Sequence, residues 1–144
     1  MKSHFRLSLT FVLILLSGIM ISGCASTNKQ SKSLDERLKQ YEQVIRWSQW
    51  EGAVEYLAPE YLQNNRLSRL DMDRFRLFKV THYQVRSAAA TDAGMGYRQT
   101  VEIRMFNRTR AVERTLIDQQ EWRYNTVHER WYLHSGLPDV TRAR

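Results

Sequence analysis

Cysteine, proline and glycine are scarce in this sequence: the 144 residues include one cysteine, two prolines and six glycines. A single cysteine excludes an intrachain disulfide and a zinc site built from cysteines. The glycine-rich loops of nucleotide-binding proteins are missing, and so is the Gly-x-Ser-x-Gly turn of serine hydrolases. These absences exclude several large enzyme classes. The few glycines and prolines that are present mark turns.

Acidic residues are fewer than basic ones, 15 against 22, and the formal net charge is +7. Seventeen of the basic residues are arginines, whose guanidinium group pairs with planar anions better than an ammonium group does. The excess is typical either of a protein with an anionic partner, such as lipid phosphate or an acidic glycan, or of a solvated surface that interleaves arginines with acids. Both interpretations stay open at this point.

The first residues have the order of an export signal. Lys2 and Arg6 precede an almost wholly apolar run over residues 7–21. This run has about 15 residues, whereas a membrane-spanning helix needs about 20. Ile21-Ser22-Gly23-Cys24 follows, an aliphatic residue and two small residues before the cysteine. This arrangement resembles the lipobox of bacterial lipoproteins, and the alternative is an uncleaved anchor helix with an incidental cysteine.

The resemblance implies that residues 1–23 are a removable signal peptide and that the thiol of Cys24 is lipidated. In a Gram-negative source, Ala25 at the next position implies an outer-membrane lipoprotein that faces the periplasm, since aspartate there retains a lipoprotein in the inner membrane. Residues 24–32 are polar after the cysteine and are predicted to be a flexible tether. Nucleic acid is not expected as a partner in that compartment.

Residues 33–140 are predicted to form one α+β domain. Ser33 and Glu36 have the spacing of a capping box, and apolar residues at helical spacing follow to about residue 48. A second short helix is predicted around residues 53–57, with Pro59 ending it or starting the next. Residues 68–74 fit either a short helix or the lead-in to a strand.

From Phe75 onward the apolar residues alternate, which predicts strands. The alternation changes phase between Val80 and Tyr83, which indicates a bulge. The strands are predicted at residues 75–86, 97–105, 112–124 and 130–135, with a loop at 88–96. Helices that precede a meander predict an α+β fold in which N-terminal helices pack on one face of a curved antiparallel sheet of about four strands.

Two segments resemble nuclear transport factor 2-like domains, the SnoaL-type and cystatin-related cone fold. One is the helix–break–helix stretch 50–59, which ends at Pro59, and the other is the closing hairpin 121–133. The resemblance extends over residues 34–138 and implies a cone-like sheet with a pocket on its concave face. The whole chain resembles the small lipoproteins of proteobacteria. The Gln-x-Val-x-Gly motif of cystatin inhibitors is absent, since residues 84–88 read Gln-Val-Arg-Ser-Ala.

Enzymes related to this cone fold place an Asp–His pair in the pocket for proton transfer. The predicted strands offer two histidines and two acids for such a pair: His82, His134, Asp118 and Glu102. His82 is in phase with Val80, on one of the two candidate inward faces. The residues that could line the pocket are Tyr41, Trp47, His82, Tyr83, Trp122 and His134.

The alternative interpretation is that the aromatic residues form the core and the histidines lie at the surface. The sequence therefore assigns no catalytic residue. His82, His128 and His134 are too scattered for a metal site, and no cofactor is predicted.

The sequence has an export signal and no recognisable set of catalytic residues, and this combination favours a non-enzymatic envelope lipoprotein. Such a protein is held to the membrane by its lipid and binds an envelope protein or an anionic ligand. Two alternatives remain: a pocket enzyme of the cone fold, and a structural subunit of an envelope complex. A deep pocket that holds His82 or His134 within hydrogen-bond reach of a carboxylate would favour the enzyme.

Overall fold

The computed structural model describes the backbone of residues 23–142 and the side chains of residues 29–142. The predicted export signal up to Ser22 and the side chain of Cys24 lie outside the described residues. The chain divides into two units, Met1–Lys32 and Ser33–Arg144, and the core and sites described here belong to the second. Among the described residues, no helix combines the length and the apolar character that crossing a membrane requires.

The described part of the chain begins with helices. They are α1 (Gly23–Arg46), α2 (Trp50–Ala53), α3 (Pro59–Asn64) and α4 (Arg69–Arg76), with a 3-10 turn at Val54–Tyr56 after α2. Pro59 starts α3, where the missing N–H of proline costs nothing.

The predicted capping box at Ser33 is wrong, because α1 is already helical from Gly23. The polar segment 25–32 belongs to this helix, and its role as a tether stays a prediction. A capping box is found instead at the start of α4, where the Asp71 N–H donates to Ser68 Oγ at 3.2 Å and the Ser68 N–H donates to Asp71 Oδ2 at 2.9 Å. These two bonds satisfy amide groups that a helix start leaves open, and they make residues 69–76 a helix.

The strands form one antiparallel sheet in the order β1-β2-β3-β4, with β1 at Phe78–Thr91, β2 at Gly96–Asn107, β3 at Val112–Asn125 and β4 at Arg130–Leu133. Four helices and a four-stranded antiparallel sheet in the described chain confirm the predicted α+β class. The predicted loop at 88–96 is correct only at residues 92–95, because β1 continues to Thr91 and β2 begins at Gly96. Ala88 pairs with Gln99 and Ala90 with Tyr97, so the neighbouring strand overrides the low strand preference of alanine.

The predicted bulge in β1 is confirmed. The register shifts between Val80 and His82, which leaves Thr81 as the extra residue, and it shifts again between Val85 and Ser87. The first shift resets the alternation, so Val80 and Tyr83 are both buried although they are three positions apart.

The core lies between the helices and one face of the sheet, the inner face. Strand β2 contributes Val101, Ile103 and Met105 to it, and all three are fully buried. From the helices, Tyr41 and Ile45 of α1 are also fully buried and belong to the same apolar cluster. We call the opposite side of the sheet the outer face.

Candidate functional site

Four buried polar side chains lie side by side on the inner face: Tyr83, Gln99, Asp118 and Gln120, which we call the inner polar cluster. Gln99 of β2 is directly opposite Gln120 of β3 and donates to its Oε1 at 2.7 Å. Gln120 Nε2 donates to Asp118 Oδ2 at 2.8 Å and to Tyr83 Oη at 3.2 Å. The cluster thus ties three strands together inside an otherwise apolar layer.

Burial changes the acid–base properties of this cluster. Removal from water raises the pKa of Asp118 to about 6, and the hydrogen bond from Gln120 offsets part of that rise. Burial, followed by the negative charge of Asp118, also raises the pKa of Tyr41 well above its usual value. The hydroxyl of Tyr41 has no hydrogen-bond partner among the described residues. Such a group carries a desolvation cost of about 1–3 kcal/mol.

Three of the six predicted pocket residues come together at this cluster. Tyr83 is a member, and the Trp122 indole N–H donates to Gln120 Oε1 at 3.2 Å. The ring of Tyr41 packs edge-on against Trp122 with centroids 5.2 Å apart. All three are buried, so they act as core residues here and enclose the cluster.

The other three predicted residues lie elsewhere. Trp47 is 77% exposed at the end of α1. The bulge at Thr81 turns His82 to the outer face, where its Nε2 lies 3.4 Å from Gln84 Oε1. His134 follows β4, and partial burial together with the nearby charge of Arg123 lowers its pKa. Neither histidine is hydrogen-bonded to a carboxylate within the described chain, so the expected Asp–His pair is not formed there.

A cleft between α1 and the sheet leads toward the cluster. Its volume is about 290 Å³, and Tyr83 and Gln99 contribute to its wall. The remaining lining residues are Asp35, Leu38, Lys39, Glu42, Val85 and Tyr97. Pockets that enclose small molecules usually measure about 300–1,000 Å³, so this cleft is at the lower limit.

The outer face carries a larger concavity, the outer groove, of about 480 Å³. Ser87 of β1 is directly opposite Thr100 of β2, and Thr100 is opposite Gln119 of β3. The neighbours of Thr100, Gln99 and Val101, are buried on the inner face, so these three positions face outward. The groove is lined by Ser87, Ala88, Ala89, Arg98, Gln99, Thr100, Gln119, Gln120, Glu121 and Ser135.

One side of the groove is fixed by the chain after β4. The His134 N–H donates to the Glu121 carbonyl oxygen at 2.8 Å, and the Glu121 N–H donates to Ser135 Oγ at 3.2 Å. These bonds hold the Ser135 hydroxyl at the edge of β3. The groove was not predicted from the sequence, although the alternation of Arg98 and Thr100 with buried residues was the signal that could have found it.

Arginines on the outer face share their acidic partners. Arg86 binds Glu102 at 2.6 Å, while Nε of Arg104 lies 4.0 Å from the same carboxylate. In the second group, Arg123 Nε donates to Glu121 Oε1 at 2.9 Å and Arg98 Nη2 is 4.0 Å from Glu121. The close arginine lowers the pKa of each glutamate. Each group therefore joins two guanidinium groups to one glutamate, and in the second group the charge of Asp92 also acts on Arg123.

No family model, curated protein or solved structure matches this chain. The resemblance to nuclear transport factor 2-like domains accordingly stays a prediction.

Metal ligation finds no support in the described part of the chain, where no group of three or more histidine, cysteine, aspartate or glutamate side chains has a suitable arrangement. The outer groove, with Arg98 in its wall, has charged and polar groups suited to a ligand.

Proposed function

We propose that the protein is a lipid-anchored envelope lipoprotein whose α+β domain is a non-enzymatic binding module. Its signal peptide ends at Gly23, Cys24 carries the lipid, and the domain faces the periplasm from the outer membrane of a Gram-negative bacterium. The lipobox motif at residues 21–24 supports the anchor. The module binds a carboxylate-bearing partner, either an envelope protein or a free anionic ligand.

The observation that supports binding is the exposed guanidinium group of Arg98 in the wall of the outer groove. Arg98 lines the groove, its side chain is 66% exposed, and its nearest carboxylate is held more closely by Arg123. Exposed ion pairs contribute only about 0–1 kcal/mol, so Arg98 can exchange its distant glutamate for a ligand carboxylate at little cost. A guanidinium group binds a carboxylate with two parallel hydrogen bonds, which adds orientation to the attraction.

Neutral groups around Arg98 complete a polar surface for such a ligand. Thr100, Gln119 and Ser135 line the groove with hydroxyl and amide groups. Its floor also contains the small side chains of Ser87 and Ala89, which leave room for an extended chain. Glu121 also lines the groove, but its carboxylate is held by Arg123. Arg98 and the neutral donors together fit a ligand that carries a carboxylate on a polar backbone.

The inner polar cluster gives less support to a catalytic role. Asp118 is enclosed, and the cleft that reaches the cluster contacts it through Tyr83 and Gln99. A general acid or base must reach the proton that it transfers within hydrogen-bond distance. We therefore assign the cluster to the core and place the binding surface on the outer face.

The groove is tested with an acidic peptide probe, poly-glutamate, titrated into the detergent-extracted protein and followed by calorimetry. We expect Arg98→Gln to weaken binding by about 1.5–3 kcal/mol, the contribution of a hydrogen bond to a charged group. Added salt should weaken the binding of the unaltered protein, since exposed charges are screened.

Arg104→Gln is the matched control. Arg104 lies on the same strand and the same face as Arg98, also 4.0 Å from a glutamate, but outside the groove. It should change the affinity by less than about 0.5 kcal/mol. Equal losses for the two variants, or no binding by the unaltered protein, would reject the groove as the site.

A further inference from the structure

Trp47 has an exposed indole ring, unlike the other tryptophans of the chain. The sequence contains four tryptophans, and Trp50, Trp122 and Trp131 are buried in the core. Trp47 is 77% exposed and follows directly after α1. An indole combines a large apolar ring with one polar N–H group. At this position both parts of the side chain are accessible to a ligand.

The backbone that carries Trp47 is held in place. The Trp47 N–H donates to the Gln43 carbonyl oxygen at 3.0 Å, and the Ser48 N–H donates to the Ile45 carbonyl oxygen at 2.8 Å. Ser48 has a φ of 55°, in the left-handed region that residues other than glycine enter at a cost. Its Oγ accepts a hydrogen bond from the Val80 N–H at 2.8 Å. These bonds fix the backbone of Trp47 relative to β1.

Trp47 lines a cavity between α1 and β1, which we call the α1–β1 cavity. Its volume is about 530 Å³, within the range of about 300–1,000 Å³ that is usual for pockets that enclose small molecules. Four of its lining residues occur on α1 at spacings of three, one and three positions, so they share one face of the helix. The cavity is lined by Lys39, Glu42, Gln43, Arg46, Trp47, Val80 and Thr81. It shares no lining residue with the outer groove.

The α1 wall of this cavity contains both donors and acceptors of hydrogen bonds. Lys39 and Arg46 donate only, whereas Glu42 accepts only. The side-chain amide of Gln43 does both. Glu42 lies 3.3 Å from Arg46, so the charges of these two residues offset each other. The wall is therefore strongly polar without a large net charge.

The β1 wall adds a hydroxyl group. Thr81 is the extra residue of the bulge and has no partner residue in β2. Its hydroxyl donates to Glu113 Oε1 at 2.7 Å, and its oxygen can still accept a hydrogen bond. The carboxylate of Glu113 also brings a negative charge close to a cavity that contains two basic residues and one acid. With the charges balanced in this way, the cavity suits a ligand rich in hydroxyl groups better than a strongly charged one.

A sugar ring matches both kinds of surface in the cavity. One face of a pyranose ring presents C–H groups that pack on an aromatic ring, and hydroxyl groups around the ring each donate and accept hydrogen bonds. We propose that the α1–β1 cavity binds a neutral oligosaccharide. One sugar ring stacks on Trp47, and its hydroxyl groups bond to Gln43 and to the neighbouring polar groups of α1.

Quenching of tryptophan fluorescence by acrylamide tests the site, because the other three tryptophans are buried and the quencher reaches mainly Trp47. The full chain is extracted from membranes in a detergent without a sugar headgroup. The probes are the β-linked tetramers of glucose and of N-acetylglucosamine. At least one of them should reduce the quenching and shift the emission to shorter wavelength, since a stacked sugar excludes water and acrylamide from the indole.

Calorimetry with the sugar that binds assigns the contacts. Trp47→Ala should weaken binding about tenfold, and Trp47→Tyr, which keeps a flat ring, by less than about threefold. Gln43→Ala should weaken binding about fivefold, the effect of one hydrogen bond. Gln40→Ala is the matched control and should leave the affinity unchanged, because Gln40 is an exposed residue of the same helix outside the cavity lining. Each variant should keep the circular dichroism spectrum of the unaltered protein.

Three results would overturn the proposal. The first is unchanged quenching of the unaltered protein with both sugars at millimolar concentrations. The second is an equal loss of affinity in Gln43→Ala and Gln40→Ala, which would place the sugar outside the cavity. The third is protection of Trp47 on reconstitution into phospholipid vesicles with no effect of either sugar, which would show that the indole contacts a membrane surface instead.

Discussion

Replacement of Trp122 by alanine is expected to lower the free energy of unfolding by about 3–5 kcal/mol, the usual cost of removing a large aromatic side chain from a core. Trp122 is fully buried, and its ring packs edge-on against Tyr41 and Tyr56 at 5.2 and 6.5 Å. Its indole N–H also donates to Gln120 in the inner polar cluster. The variant therefore loses apolar contacts, and the side-chain oxygen of Gln120 loses one of the groups that donate a hydrogen bond to it.

Urea denaturation followed by far-UV circular dichroism measures this effect without depending on the tryptophan signal. Trp47→Ala is the control, since the same side chain is 77% exposed there and its removal should cost less than about 0.5 kcal/mol. A small domain is stable by only about 5–15 kcal/mol, so the Trp122 variant should unfold at a visibly lower urea concentration. Equal midpoints for the two variants would contradict the described core.

Replacement of Asp118 by asparagine is expected to stabilise the protein at pH 8 by about 2–3 kcal/mol. The folded state raises the pKa of Asp118 from 3.8 to about 6, so it binds this proton more tightly than the unfolded chain does. The stabilisation from the proton is complete below about pH 4 and is lost as the pH rises through 6. Asparagine stays neutral and can still accept the hydrogen bond from Gln120.

Urea denaturation of both proteins between pH 4 and pH 8 tests this expectation through their difference in free energy of unfolding. That difference isolates Asp118, because the lowered pKa values of Glu102 and Glu121 act in both proteins. The stability advantage of the variant should be small at pH 4 and should grow to its full size above pH 6. Asp73→Asn, on the exposed surface of α4, is the control. If Asp118→Asn were less stable than the unaltered protein at pH 8, the result would contradict the desolvation of the Asp118 carboxyl group.

The sheet was predictable from the sequence because most of its inner positions are apolar and alternate with polar positions. Val101, Ile103 and Met105 of β2 are all buried, and the change of phase near Thr81 is enough to indicate the bulge. The alanine run in β1 was missed, since alanine favours strands weakly and its pairing with β2 decides its conformation. The start of α1 was missed because Ser33 and Glu36 have the spacing of a capping box, whereas the helix already begins at Gly23.

The candidate sites were predictable only in part. Large aromatics such as Tyr41 and Trp122 were recognisable as enclosing residues, but Gln99 and Gln120 were not, because polar residues at inner positions break the alternation that identifies a core. The face of His82 depends on one bulged residue, and a shift of one position moves a side chain to the other side of a sheet. The outer groove depends on three strands meeting in register, which no single segment encodes.

Lipidation of Cys24 is the claim on which the proposed compartment depends. Two covalent acyl chains hold a protein stably on a bilayer, at about 0.8 kcal/mol per buried CH₂ group. The decisive measurement is mass spectrometry of the protein extracted from membranes, combined with metabolic palmitate labelling of the unaltered chain, of Cys24→Ala and of the control Ser26→Ala. The account predicts a chain that begins at acylated Cys24 and carries label, with the label lost only in Cys24→Ala; a native chain that still begins at Met1, or label retained in Cys24→Ala, would contradict it.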